Sequence, residues 1–204
     1  MAIHIEFLVE EPSAEAALME IVPSIVGNTI TFQVHVHQGK QDLLRSLPDR
    51  LRGYARWLPV ECCIVVLIDE DRQDCHALKR RLDAVVQQAG LVSKTAAGRA
   101  GGVQVVNRIA VEELEAWFFG DVDALRAAYP GVPVSLGNRA RYRDPDAING
   151  GTWEALERVL RQAGHHRSGL PKISVSREIS RRMIPERNRS RSFQVFREGL
   201  LAVV

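Results

Sequence analysis

The spacing of apolar positions along the chain switches repeatedly between a period of two and a period near 3.6. Ile3, Ile5, Phe7, Leu8 and Val9 predict a first strand, which runs into Glu10-Glu11-Pro12-Ser13 and an alanine-rich stretch of helical character. Residues 29–36 alternate Ile30, Phe32, Val34 and Val36 as a second strand. Residues 42–57 then carry Leu43, Leu44, Leu47, Leu51 and Tyr54 at helical spacing, with Pro48 a candidate break. Residues 62–68 form an unbroken apolar run, as in a strand covered on both faces, and it ends abruptly in Asp69-Glu70-Asp71. A helix with Leu78, Leu82, Val85 and Val86 on its inner side follows.

Residues 93–102 are rich in Gly and Ala and predict a flexible loop, in which Lys94 and Arg99 are placed to close over a substrate. A strand over 103–111 comes next, then a single helix over 112–129 with Leu114, Trp117, Phe118, Leu125 and Ala128 as its inner stripe, stopped by Pro130-Gly131. Alternating strands and helices of these lengths predict an α/β fold, a mostly parallel sheet covered by helices. The last third has another texture: a loop over 137–151 and helices over about 153–163, 175–183 and 192–203. Together these give one domain over residues 1–204, with a core of about 1–136 and a basic, mainly helical C-terminal extension of about 137–204.

Charge sharpens that division. The formal net charge is +2, but residues 1–136 hold 13 Lys and Arg against 18 Asp and Glu, whereas residues 137–204 hold 14 against 7. An acidic part suits hard cations and a basic part suits phosphates, so a metal-dependent enzyme acting on a nucleic acid would need both. The start of the chain lacks the basic segment and long apolar stretch of a signal peptide, and no run is long enough to cross a bilayer, so a cytoplasmic protein is expected. Cys62, Cys63 and Cys75 follow neither a disulfide framework nor a zinc spacing and are read as reduced thiols. His35 and His37 are read as surface or satisfied core residues and His165-His166 as a loop pair.

The candidate chemistry lies in the acidic groups. Glu10, Glu11 and Glu15 follow the first strand, Asp69, Glu70, Asp71 and Asp74 the third, and Glu112, Glu113 and Glu115 the fourth. In a parallel sheet all the carboxyl ends share one edge, so these side chains converge on the usual ligand crevice of an open α/β fold. Carboxylates brought together repel unless a cation or protons compensate, which predicts a Mg2+ or Mn2+ site. Asp69 and Asp71, two residues apart at a strand end, can approach one metal, and two ions roughly 4 Å apart would clamp a phosphodiester. Acidic residues at helix starts also serve as caps, and Asp71, Asp74, Glu112 and Glu113 fit that simpler role as well.

These residues carry a resemblance. Leu8-Val9-Glu10-Glu11-Pro12-Ser13-Ala14-Glu15 resembles the opening of a Toprim domain, and Leu67-Ile68-Asp69-Glu70-Asp71 resembles its Asp-x-Asp motif. Nearly the whole chain is similar to the domain of unknown function 4276 family, a Toprim-like group, through residues 107–117 and the ending Arg187-Asn188-Arg189-Ser190-Arg191-Ser192-Phe193. The resemblance implies a Mg2+-dependent nuclease-like core, related to the Toprim domains of overcoming-lysogenisation-defect nucleases, and an anti-phage role beside an ATPase of the ABC or SMC type. It gives Glu10 the part of general acid and base, Asp69 and Asp71 that of metal-binding pair, and Glu15 and Glu115 that of second-ion ligands. Glu11 departs from the pattern by standing where the family motif has glycine; it adds a ligand, shifts the geometry or signals lost activity.

Arg181, Arg182, Arg187, Arg189 and Arg191, with Ser190 or Ser192 as a helix cap, form a basic group suited to phosphate oxygens, which predicts salt-sensitive binding of a nucleic acid, DNA in preference to RNA, without sequence readout. The simpler alternative is a set of ion pairs with acidic neighbours. The leading expectation is metal-dependent phosphodiester hydrolysis. The runner-up is a non-catalytic partner or sensor subunit of an ABC- or SMC-type ATPase, and a phosphorylated receiver domain ranks last for want of a lysine to complete its site. Whether a homodimer completes the site stays open.

Overall fold

A computed structural model describes residues 2–71, 73–98, 101–166 and 168–204. Four strands, β1 (His4–Val9), β2 (Thr31–Val36), β3 (Cys62–Asp69) and β4 (Val105–Ala110), form an all-parallel sheet in the order β2-β1-β3-β4. The fold is α/β, consistent with a Toprim-like architecture. Because the chain leaves β1 first to one side and then to the other, the topological switch point lies between β1 and β3.

Two apolar layers cover the sheet. On one face α2 (Lys40–Trp57) and α3 (Cys75–Gln88) bury Leu43, Leu47, Leu51, Leu78, Leu82 and Val86 against Leu8, Ile64, Val66 and Ile68. Helix α2 continues through Pro48. On the other face α1 (Pro12–Val26), α5 (Ala116–Gly120), α6 (Val122–Ala128), α7 (Thr152–Gln162), α8 (Lys172–Ser180) and α9 (Arg191–Leu201) enclose the larger core. Trp117 is fully buried there, 4.9 Å from Phe196 and 5.2 Å from Phe193 between ring centroids, and its indole N–H donates to Ser192 Oγ at 3.0 Å. It is a core residue rather than a shield for the acidic edge.

The extension shares this core, since Val175, Ile179, Phe193 and Phe196 are all fully buried in it. The last residues are tied to the first through Ala2 N–H to Val203 O at 2.6 Å. Among the described residues no helix is long and apolar enough to cross a membrane.

The structure departs from the sequence expectation in two places. Residues 112–129 form a turn and two short helices, because Glu112 takes a left-handed φ of 61° and Asp121 breaks the run at φ −122°. The Asp121 carboxylate restarts the helix by accepting from Ala124 N–H at 3.1 Å. Within 93–102, Lys94–Ala97 is a helical turn (α4) capped by Ser93, and Lys94 Nζ donates to Glu198 O at 3.0 Å rather than reaching over a substrate. Arg99 lies outside the described residues.

Asp121 also accepts from Ile184 N–H at 2.9 Å and Arg187 Nε at 2.8 Å while only 2 % exposed. Replacing it with alanine strands the buried Ala124 amide, the Ile184 amide and a guanidinium. Asp121→Ala is expected to lower the stability measured by urea unfolding by roughly 2–4 kcal/mol.

Candidate metal centre at the carboxyl edge of the sheet

Strand direction alone delivers the acidic residues to one edge. Glu10 leaves β1 and Asp69 ends β3, the two strands that flank the switch point, and the Asp69 backbone N–H donates to Glu10 Oε1 at 2.6 Å. Glu115 follows β4 and is fully buried just before α5, with neither carboxylate oxygen hydrogen-bonded among the described residues. Lys172 Nζ stands 3.9 Å from it.

Burial pushes the Glu10 carboxyl up to about 7, against the opposing pull of the Asp69 N–H and of Lys40. Burial also lifts Glu115 to about 7, with Lys172 opposing. Asp69 stands well above the usual carboxylate range, because burial is reinforced by the charges of Glu10, Glu115, Glu11 and Asp71. Such groups keep their protons well above the ordinary carboxylate range.

Two lysines supply part of that charge. Lys40 Nζ, at the start of α2, donates to Asp69 O at 2.6 Å, Glu70 O at 2.9 Å and Asp71 Oδ2 at 2.9 Å, and so closes off the end of β3. Lys172 Nζ, at the start of α8, donates to Glu11 Oε1 at 2.7 Å and stands 5.3 Å from the centre of the Trp153 ring. Burial opposes the charge on Lys172, but Glu115 and Glu11 outweigh it and raise the pKa of the ammonium. Glu11 is therefore one half of an ion pair that joins the core to the extension.

Other acidic residues are occupied by the backbone. Glu70 accepts from Cys75 N–H at 3.2 Å and Glu112 N–H at 3.0 Å. Glu113 takes Trp153 N–H at 2.8 Å and Thr152 Oγ1 at 2.9 Å, anchoring the start of α7. Asp74 caps α3 through Ala77 N–H at 2.8 Å. Asp71 and Glu112 both adopt left-handed φ, 54° and 61°, and are joined by an Asp71 N–H to Glu112 O bond of 2.8 Å. Glu15 lies in the first turn of α1, and its side chain makes no hydrogen bond or ion pair among the described residues.

The basic group is distributed instead of gathered. Arg181 pairs with Glu20 and Glu178, Arg182 with Glu178, Arg187 with Asp121 and Arg191 with Glu198. Arg189 Nη2 donates to Gly137 O at 3.3 Å, and Ser190 caps α9 while donating to Asp146 at 2.7 Å. Asn188, between them, donates to Trp117 O at 2.8 Å. Arg181 on Glu20 and Arg187 on Asp121 tie the extension to the core, whereas the partners of Arg182, Arg189 and Arg191 lie within the extension itself.

Sequence reasoning missed Lys40 and Lys172. A signal for the second was present, since Lys172 is the one lysine beside 13 arginines in residues 137–204.

As they stand, no three His, Cys, Asp or Glu side chains among the described residues are gathered closely enough to hold a metal ion. The chemistry of the donor set nonetheless fits a hard cation: the candidate ligands Asp69, Glu115, Glu10 and Glu11 are all oxygen donors, and both Glu115 oxygens are buried without a partner.

Sheet, switch point and desolvated acids define an open α/β protein with an acidic crevice at its carboxyl edge. The family model described as Domain of unknown function (DUF4276) matches residues 9–201, and the chain belongs to that family. Neither the curated proteins nor the solved structures contain a significant match.

The raised acids set a sign for stability against pH. Below the ordinary value of 4.5 both folded and unfolded chains carry these protons; between 4.5 and about 7 the folded protein retains protons that the unfolded chain releases. Stability in chelator is therefore expected to fall as pH rises through that window, by an order of a few kcal/mol. Glu10→Gln with Glu115→Gln should flatten the fall, and millimolar Mn2+ should reverse it at about pH 8, as read by urea unfolding.

Proposed function

We propose that this chain is a divalent-metal-dependent enzyme that processes phosphodiesters of a nucleic acid at the carboxyl edge of its sheet, with a Toprim-like arrangement of acids. The observation that carries the reading is the shared, largely desolvated position of Glu10, Asp69 and Glu115, with both oxygens of Glu115 orphaned. Asp69, Glu115 and Glu11 would hold Mg2+ or Mn2+, with Asp71 entering after release from Lys40. When bound, the ion supplies Lewis-acid polarisation of a phosphoryl oxygen.

The chain's own groups do the rest. Glu10, with its carboxyl near 7 and one oxygen fixed by the Asp69 N–H, is poised to hold or release a proton at neutral pH. Lys40 fixes the end of β3 and keeps the Asp69 carbonyl in place, so the Asp69 carboxyl has a defined position beside Glu10. Lys172 balances Glu11 and Glu115, and with a cation held by those acids its ammonium would be free to face a phosphate. Arg187 is held on buried Asp121, whereas Arg181, Arg182 and Arg191 sit in solvent-exposed ion pairs that a phosphate backbone would compete for.

A second reading is favoured by one observation. Lys172 and Lys40 already neutralise part of the acidic edge from within, as expected of a non-catalytic subunit that serves an ABC- or SMC-type ATPase in anti-phage defence as a binding part rather than a nuclease.

The test incubates the purified chain with supercoiled, linear and single-stranded DNA and with RNA, in Mn2+ and in chelator. The proposal expects metal-dependent breakage that Asp69→Asn and Glu10→Gln each reduce by about a hundredfold or more. Intact nucleic acid in every form, from a protein that binds Mn2+, would reject catalysis and leave the second reading.

A further inference from the structure

The sheet ends in two edges, and they differ. At β4 the edge is closed, since Val105 and Asn107 are fully buried and Val105 N–H donates to Val92 O at 3.1 Å. At β2 it is open: β2 alone of the four strands has no buried residue. In a parallel ladder the N–H and C=O of one residue turn to the same side, and successive residues alternate. Thr31 N–H donates to Ile3 O and His37 N–H to Val9 O, each at 3.0 Å, so the odd-numbered residues of β2 face β1. Phe32, Val34 and Val36 therefore present both backbone groups outward, with no hydrogen-bond partner among the described residues.

Exposed edges are ordinarily blunted by charge, proline, a bulge or a covering segment. Residues 28–37 contain no Lys, Arg, Asp, Glu or Pro, and the pairing with β1 runs without a bulge from His4 and Thr31 to Val9 and Val36. The side chains of Phe32, Val34 and Val36 lie half-buried on the α1 face, where Phe32 packs edge-on against Phe7 at 5.9 Å.

A second feature adjoins this edge. Helix α1 turns Leu18, Ile21 and Val22 to the sheet and meets α8 along another flank, where Glu20 pairs with Arg181. Because Lys172 at the start of α8 stands 3.9 Å from Glu115, which follows β4, α8 lies on the β4 side of α1. The opposite flank, on the β2 side, carries Met19, Pro23 and Val26 at helical spacing, with Met19 54 % exposed. Seven helix residues from Pro12 to Met19 cover about 10 Å, as do three strand residues from Glu10 back to Phe7. Phe7 is in register with Val34, so Met19 and Val34 lie at one level.

A second copy of the chain satisfies both features. Across a two-fold axis through Val34, β2 runs antiparallel to its counterpart, with Val34 opposite Val34 and Phe32 opposite Val36. All three outward residues then fall in pairs that exchange two hydrogen bonds each, and the aromatic faces a β-branched side chain. On the other face Gln33 meets His35, so no charge opposes itself. The Met19 flanks of the two α1 helices approach each other at the same axis, whereas a lone extended peptide on β2 would leave them bare. We infer that the chain forms a two-fold dimer through β2, which joins two four-stranded sheets into one of eight strands with α1 packed on its counterpart. Antiparallel pairing sends the two acidic edges to opposite ends of that sheet, so each crevice is built by one chain alone.

Sedimentation equilibrium of the full chain from about 1 to 100 μM is expected to show dimer growing with concentration, and hydrogen exchange is expected to slow in parallel at the amides of Phe32, Val34 and Val36. Val34→Pro removes an outward N–H while sparing the bonds to β1, as an edge position allows, and should leave a monomer. Met19→Glu sets two carboxylates against each other at the axis and should weaken the dimer about tenfold or more. Met19→Glu, at an exposed position, decides together with the exchange data if circular dichroism shows that Val34→Pro has unfolded. A chain that stays monomeric at the highest concentration, which would leave the edge to another protein, or a dimer that either variant leaves intact while folded, would overturn the proposal.

Discussion

Glu10, Asp69 and Glu115 share a region where protein replaces most of the water, and three carboxylates cannot ionise there together without a compensating charge. Much of the surrounding structure answers that constraint. Lys40 caps the carbonyls at the end of β3 and pairs with Asp71, while Lys172 crosses from the extension to meet Glu11 and approach Glu115. The acids sit there because a parallel sheet sends its carboxyl ends to one edge, and the change of direction between β1 and β3 leaves that edge open where Glu10 and Asp69 emerge.

The extension is best understood through the same constraint. Its helices complete the apolar core with Val175, Ile179, Phe193 and Phe196, and Arg181 on Glu20 and Arg187 on buried Asp121 fasten it there. What it contributes to the crevice is Lys172, with Trp153 beside the ammonium. Lys172, Arg181 and Arg187 thus spend part of the positive charge of residues 137–204 on acidic residues of the core.

Strands were legible in the sequence because their signals are local: the continuous run before Asp69 and the alternation from Ile30 to Val36 mark β3 and β2 within a residue or two. The convergence of Glu10 and Asp69 followed from parallel topology and needed no coordinates. Other features depend on contacts between distant segments and leave little trace in a window of sequence. Asp121 breaks a well-patterned helix because Arg187, 66 residues on, and the Ile184 amide require its carboxylate. Glu113 looks like a strand-end ligand until Thr152 and Trp153 occupy it, and Glu11 looks anomalous until Lys172 is opposite. Arginine density at residues 181–191 resembles a phosphate site because composition records charge and not its partner.

Anomalous diffraction from crystals soaked in Mn2+ tests the central claim most directly. The account predicts a peak within bonding distance of Asp69 and Glu115, with the Lys172 ammonium withdrawn from Glu115. Crystals with no peak at the carboxyl edge, and Lys172 still bound to Glu11 beside a protonated Glu115, would contradict it.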